Sequence, residues 1–448
     1  MAAKAPREYT DPSVYDSHAK DFQSKALPSG QAEWIERASQ VAQIFAQDAP
    51  KRDIENKSPA AEVSLLKASG LLKVLGPKEY GGGGEAWDTG YKVIREVAKG
   101  DGSLGMLLGY HLLWSTTANV VGTEDQARSV QKVITEQNLF IGGAVNPRDS
   151  DLKITSDGDE IVFNGFKNFN TGGVVSDLTV LEGVLEGTED HIFTFVNTRQ
   201  DGMQFAHNWD SIGLRLTESG SVRITNIRVP WTDALGWDSA TKRPLPHILS
   251  IPFATLLLPT IQLVFSNFYA GIALGALDAA AAYTTQHTRA WPFGGDNKDR
   301  PTDEFYILER YGAWHAHLLA AAALLDRAGA QVAAVYREGG QHGSSLLSDV
   351  INGSTPAGAT REAITAARRG ELAALVVSGK VVSTDVALEV TAGIFEALGA
   401  RATGKKYGFD RFWRDVRTHT LHDPVAYKRR ELGRWKLLGE AAEATWYT

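Results

Sequence analysis

The chain has 448 residues, 43% hydrophobic and 22% charged, enough to bury a large core spread over two or three domains. A formal net charge of -7, with no long run of Lys or Arg, argues against nucleic acid as a partner. The lack of cysteine excludes disulfides, thiolate metal sites, cysteine-ligated clusters and cysteine nucleophiles.

In chain order, Met1 to about Ser29 has little apolar periodicity and reads as an irregular arm, without an apolar targeting core. The end, Trp446-Tyr447-Thr448, is no peroxisomal tripeptide, so the cytoplasm is the expected location. Gln31 to Ala46 and Ala60 to Ala68 carry amphipathic helical spacing, and Asp88 to Ala98 and Ser103 to Val121 read as two further helices. The second of these brings Tyr110, His111 and Trp114 among apolar neighbours. Gly81 to Gly84 lacks the Lys-Ser/Thr and the preceding strand of a phosphate loop and reads as a flexible turn.

After Gln137 the pattern becomes short β-rich runs at Leu139–Ile141, Glu160–Phe163, Leu178–Leu181, His191–Val196 and Val222–Ile224, divided by Asp, Gly and Asn turns. Asn164-Gly165 reads as a hairpin turn leading into a strand on which Phe169 and Thr171 share a face. That face suits either a flat ring or an ordinary core; Trp209 likewise suits either a ring shield or a buried tryptophan. The uncharged run from Leu245 to Leu277 is interrupted by prolines and amides, so a buried helix is expected rather than a membrane span. From about Phe253 onward, long Ala- and Leu-rich stretches predict a four-helix bundle, with Glu338 to Gly358 as a Gly/Ser-rich mobile excursion. Arg289, before Trp291, suits either an anionic ligand or the C-terminal end of its helix.

The densest chemistry lies late, in Asp410 to Tyr427. Arg411, Arg414 and Arg417 recur at helical spacing, fit for an anion or an ion-pair network. His419 and His422 lie three apart before Pro424, which places both imidazoles at a helix end, where they can steer protons. No metal is expected: His315 and His317 point to different helix faces and no His-Glu-x-x-His occurs.

Leu75-Gly76-Pro77-Lys78-Glu79-Tyr80-Gly81-Gly82, Asn164-Gly165-Phe166-Lys167, Ile212-Gly213-Leu214-Arg215, Val229-Pro230 and Arg414-Asp415 stand in an order that resembles the acyl-CoA dehydrogenase superfamily over nearly the whole chain. Asp101 to Gly105, Gly109-Tyr110-His111-Leu112, Tyr407 to Arg414 and Thr418 to Pro424 look closest to its flavin-dependent monooxygenase branch, which includes dibenzothiophene monooxygenase. The resemblance implies an α+β fold: a helical domain over 1–138, a central β-barrel or sandwich over 139–245 and a helical bundle over 246–448. It further implies reduced FMN (FMNH2) from a separate flavin reductase, with FAD as the alternative, and a homotetramer without a membrane role. Dioxygen would react through a flavin C4a-(hydro)peroxide to oxygenate sulfur or nitrogen of a small molecule.

By the same resemblance, Phe169, Thr171, Trp209, Arg289, Gly143 and Asn146 would hold the cofactor, Tyr110, His419 and His422 would be catalytic, and Met106 and Asp423 would line the substrate pocket. Dehydrogenases commonly show Tyr-Glu-Gly-Thr where this chain has His422-Asp423-Pro424-Val425, so their α-proton base is lost or reduced to Asp423. Met106 and Gly143 stand where the sulfur-heterocycle enzymes tend to have histidine and asparagine, which implies a pocket shaped for a different molecule.

Overall fold

The computed structural model describes residues 6–146, 151–294, 298–342, 345–346 and 359–445. Among these, eight helices precede the first strand: α1 (Asp16–Gln23), α2 (Gln31–Ala46), α3 (Ala49–Glu55), α4 (Ala60–Ala68), α5 (Trp87–Gly100), α6 (Gly102–Ser115), α7 (Thr117–Val121) and α8 (Glu124–Glu136). Helix α6 starts where the Asp101 carboxylate accepts from Ser103 N (2.9 Å) and Leu104 N (3.3 Å), satisfying orphan amides of the first turn. Arg52 holds that carboxylate in place from α3 at 2.8 Å.

Three expectations change here. The single helix expected across Ser103 to Val121 breaks at Thr116, whose hydroxyl donates back to the carbonyls of Leu112 and Leu113 (3.1 and 3.0 Å). The arm before Ser29 is not wholly irregular: it carries α1, because Tyr15 and Phe22 lie two turns apart and bury on the helical core. The Gly81–Gly84 turn is tied to the core by bonds from Gly82 N to Pro77 O (2.9 Å), Gly83 N to Lys73 O (2.8 Å) and Gly84 N to Gly76 O (2.7 Å).

The central strands are β1 (Ile141–Ala144), β2 (Lys153–Asp157), β3 (Glu160–Lys167), β4 (Leu178–Val184), β5 (His191–Asn197), β6 (Met203–Phe205) and β7 (Val222–Pro230), with a small pair β8 (Trp237–Asp238) and β9 (Arg243–Pro244) after them. They form two sheets, β1-β4-β5 with β1 parallel to β4, and β2-β3-β7-β6 throughout antiparallel. Side-chain alternation explains the layering. Ile141, Val180 and Phe193 of the first sheet bury against helices, whereas Ala144, Leu181 and Ile192 bury against the second sheet's Ile154, Phe163 and Ile224.

Asn164-Gly165 is not a hairpin turn but a bulge inside β3; the turn lies at Gly158-Asp159. Gly165 sits at φ +140°, and a Cβ there would collide with the Asp151 carbonyl. Nor do Phe169 and Thr171 share a strand face. Both follow β3 in a loop, with Phe169 exposed at φ +57° and Thr171 buried.

The C-terminal half holds α9 (Pro246–Leu249), α10 (Leu257–His287), α11 (Phe305–Glu338), α12 (Ala366–Leu398), α13 (Asp410–Thr420) and α14 (Val425–Leu438). Helices α10, α11 and α12 pack on one another, and α13 and α14 pack on α12. Helices α10 and α11 are long and apolar enough to cross a membrane by length and composition, but α10 is 94% buried inside the protein over its most apolar stretch, as expected of a core helix. Helix α11 is 44% buried there, and Phe305, Tyr306, Leu308 and Leu319 remain exposed. Between α11 and α12 the structure describes a short pair, β10 (Gln341–His342) and β11 (Ser345–Leu346); most of the excursion expected over Glu338 to Gly358 lies outside the described residues.

Candidate functional site

Met106, Tyr110 and Trp114 recur every fourth residue of α6 and so share one face. Gln262, Phe265 and Tyr269 form the matching stripe on α10, His419 closes the last turn of α13, and Lys380 comes from the middle of α12. His419 lies between two phenols: Tyr269 Oη is 2.7 Å from Nδ1 and Tyr110 Oη is 3.2 Å from Nε2. Phe265 and Phe268 wall the ring at centroid distances of 4.5 and 4.8 Å. His422, in the turn after α13, is exposed and lies parallel to His419, 5.1 Å away and tilted by 4°. A string of polar rings thus runs from the interior to the surface.

Burial, with His422 and Lys380 nearby, pushes His419 well below the usual histidine range, so its imidazole is neutral at pH 7. Burial raises Tyr110 and Tyr269 above the usual phenol range and keeps both protonated. Lys380, 2% exposed, is pulled down to about 8 by burial against the attraction of its ion-pair partner Asp423. Burial acts to raise Asp423, but Lys380 outweighs it and holds the carboxyl below its ordinary value. Gln262 Nε2 donates to the same oxygen, Oδ2, at 3.0 Å. Asp423 is therefore an engaged carboxylate and a poor proton acceptor.

The sheet side meets this cluster through two tethers. His111, on a neighbouring face of α6, accepts from Ile141 N at Nδ1 and donates from Nε2 to Leu72 O, both at 3.0 Å, which fixes its tautomer and holds β1 against the helix. Burial takes it down to about 4, so it is a neutral structural residue rather than a polar tip for a site. Gly143 then lies against Trp114: a Cβ there would overlap Trp114 Nε1, and its own N–H donates to Thr171 O at 3.3 Å. The Thr171 hydroxyl bonds Ser219 at 2.9 Å.

The second tether is Asp415, whose Oδ1 accepts from Leu214 N at 2.6 Å, while Trp209 Nε1 donates to Leu214 O at 2.8 Å. Desolvation, with Asp101 and Asp53 adding to it and the Leu214 amide opposing, raises Asp415 to about 8. Trp209 packs edge-on to Phe169 at 6.3 Å. Of the late arginines, Arg414 pairs with Asp53 and Asp410, an ion-pair network, and buried Arg411 donates to the carbonyls of Gly408 and Gly100.

Comparison with known proteins places this geometry. Residues 30–136 match the family described as Acyl-CoA dehydrogenase, N-terminal domain, and residues 263–426 the Acyl-CoA dehydrogenase, C-terminal domain. Dibenzothiophene monooxygenase of Mycolicibacterium goodii is 35% identical over 427 residues, 93% of this chain and 96% of that one. The chain belongs to the acyl-CoA dehydrogenase family. Within it, the probable FMNH2-dependent monooxygenase SfnC of Pseudomonas putida is 32% identical over 92% of this chain and 96% of its own. The complex of TdsC from Paenibacillus sp. A11-2 with FMN and indole superposes with a TM-score of 0.82 at 31% identity, covering 93% of this chain and all of that one (100%). This acyl-CoA dehydrogenase relative is a flavin-dependent monooxygenase whose cofactor is FMN.

The residues present fit a flavin ring. Phe169 is 58% exposed in a left-handed backbone that a bulky side chain adopts only at a cost, a strain that concentrates at binding sites. With Trp209 and exposed Ile212 it leaves an apolar surface for a flat ring. Hydrogen bonds and ring contacts join Gly143, Thr171, Phe169 and Trp209 in one group and Tyr110, His419 and His422 in another, which Asp423 meets through Lys380. Asn146 follows β1, its carbonyl bonded by Lys167 Nζ at 2.9 Å, and Met106 is buried on the Tyr110 face of α6.

Arg289 is not brought to either group. It is exposed beyond the end of α10, and the helix from Tyr269 to His287 already spans roughly 27 Å at 1.5 Å per residue. Sequence reasoning missed Tyr269, Lys380, Gln262 and Phe265. For the three on α10 the signal was a polar and aromatic stripe within an otherwise apolar helix; Lys380, on α12, gave none.

Proposed function

We propose that this monooxygenase transfers one atom of dioxygen to the sulfur, or nitrogen, of a small organic substrate, with FMNH2 delivered by a separate reductase. The observation that carries the reading is that Asp423, where dehydrogenases commonly have their carboxylate base, is engaged by Lys380, beside a buried His419 between two phenols. Such a site is poor at taking an α-proton and well furnished with neutral hydrogen-bond donors.

Bound reduced flavin supplies the activation of dioxygen. The chain's own residues then do the rest. Phe169 and Trp209 take the ring, Thr171 and the segment from Gly143 to Asn146 border its edge, and the aromatic walls exclude water. Tyr110 and His422 present donors on the reacting side, with His419 holding the Tyr110 hydroxyl from behind, and Met106 and Asp423 border the substrate. Helical, β and bundle domains over 1–138, 139–245 and 246–448 frame the site in a cytoplasmic homotetramer. The exposed apolar side of α11 is a contact surface in that assembly, and Arg289 reaches a flavin only across it.

Dibenzothiophene and indole, named with the relatives above, are the first substrates to try, followed by small alkyl sulfides and amines. The test is to mix the protein anaerobically with FMNH2, add oxygenated buffer in a stopped-flow instrument and follow absorbance. A transient species distinct from oxidised flavin, discharged faster by a substrate, supports the proposal. Reoxidation at the rate of free flavin, together with bleaching of protein-bound FAD by an acyl-CoA, refutes it.

A further inference from the structure

We propose that Tyr269 is a positioning residue that fixes the tautomer of His419 and thereby turns the hydroxyl proton of Tyr110 toward the oxygen-transfer site. The inference rests on the monooxygenase reading above for what Tyr110 faces, but its geometry belongs to the chain alone.

A neutral imidazole has one N–H donor and one bare nitrogen acceptor. Both nitrogens of His419 face phenols, so one phenol donates to the ring and the other accepts from it. Two arrangements are possible, and two observations choose between them. The first is distance. Tyr269 Oη stands 2.7 Å from Nδ1, in the middle of the range for hydroxyl donors, whereas Tyr110 Oη stands 3.2 Å from Nε2, at the long edge of the range for N–H donors and beyond that for hydroxyls.

The second is satisfaction. Among the described residues neither hydroxyl has a partner besides His419, but Tyr269 is 1% exposed and closed off, whereas Tyr110 keeps 8% exposure as an outlet for its proton. If His419 carried its proton on Nδ1, the Tyr269 hydroxyl proton would be buried without an acceptor, a loss of about 1–3 kcal/mol. With the proton on Nε2, Tyr269 donates to Nδ1, Nε2–H donates to Tyr110 Oη, and the only unspent proton is that of Tyr110. Its ring packs on Phe265 and Trp114, the same Trp114 that abuts Gly143, so the free O–H sits where the helical cluster meets the sheet. No proton leaves this string; Tyr269 acts by orientation only.

The test is 15N solid-state NMR of the full chain labelled at histidine, with the His419 signals assigned by their loss in His419→Gln. The expected wild-type spectrum shows His419 neutral with its proton on Nε2 alone. In Tyr269→Phe that single form gives way to a mixture of tautomers, and oxygenated product per FMNH2 consumed falls about tenfold. FMN affinity stays unchanged. A wild-type proton on Nδ1 overturns the assignment, as does an unaltered Nε2–H form in Tyr269→Phe. If that variant fails to fold, the wild-type tautomer decides alone. If wild-type protein oxygenates nothing in the substrate panel, the functional reading fails while the tautomer result still stands.

Discussion

Replacing Asp423 by Asn keeps the side-chain shape but removes the anion that faces Lys380, a lysine with 2% of its side chain exposed. A charge-assisted hydrogen bond is worth about 1.5–3 kcal/mol, which at about 1.4 kcal/mol per pKa unit corresponds to roughly one to two units. Lys380, at about 8 in the native protein, would drop by that amount to roughly 6–7. The sign follows from linkage. The folded pKa lies below the unfolded 10.5, so the unfolded chain binds more protons between the two values and stability rises with pH there. In the variant this rise begins one to two units earlier. The penalty of Asp423→Asn should therefore be about 1.5–3 kcal/mol below about pH 6 and mostly gone above about pH 8. Urea denaturation followed by circular dichroism at pH 6 and pH 9, at one protein concentration, measures it. An equal penalty at both pH values, or a larger one at pH 9, refutes the account of the pair.

His422→Ala should retain FMN and lose coupled oxygenation by about a hundredfold, releasing hydrogen peroxide instead; undiminished product formation removes His422 from the mechanism. Phe169→Ala should weaken FMN binding about three- to tenfold, the equivalent of one aromatic contact, in a flavin fluorescence titration. An unchanged Kd would show that the ring does not lie on Phe169. Asp415 has a folded pKa of about 8 against an ordinary 3.8, so its contribution is fully present below about pH 4 and lost as pH rises to 8. Going from pH 8 to pH 5, the wild type should therefore gain stability relative to Asp415→Asn, by at most about 1.4 kcal/mol per unit. A relative loss over that interval would contradict a protonated Asp415.

The helices and most strands were legible because their periodicity is local: the bounds of α2 and α4 follow directly from apolar spacing. So was the histidine cluster, since Pro424 forces the helix to stop beside it. The backbone after β3 was not. Phe169 sits at a positive φ that no propensity for phenylalanine suggests, and Asn164-Gly165 carries the signature of a turn while serving as a bulge. Tyr269 and Lys380 were hidden for a different reason. Each lies in an ordinary helical stretch, and its partner is 150 or 43 residues away, so only the packing of α10, α12 and α13 reveals what they do. Arg289 followed from resemblance, and a single chain leaves it far from the residues it was expected to join.

The central claim, transfer of one oxygen atom from O2, is tested most directly with labelled dioxygen. Protein, FMN, NADH and a flavin reductase are incubated under 18O2 with dibenzothiophene, indole, alkyl sulfides or amines, and products are read by mass spectrometry. Incorporation of a single labelled atom at sulfur or nitrogen, dependent on the protein, is the predicted result. Unlabelled product, or no product together with reduction of protein-bound flavin by an acyl-CoA, would contradict it.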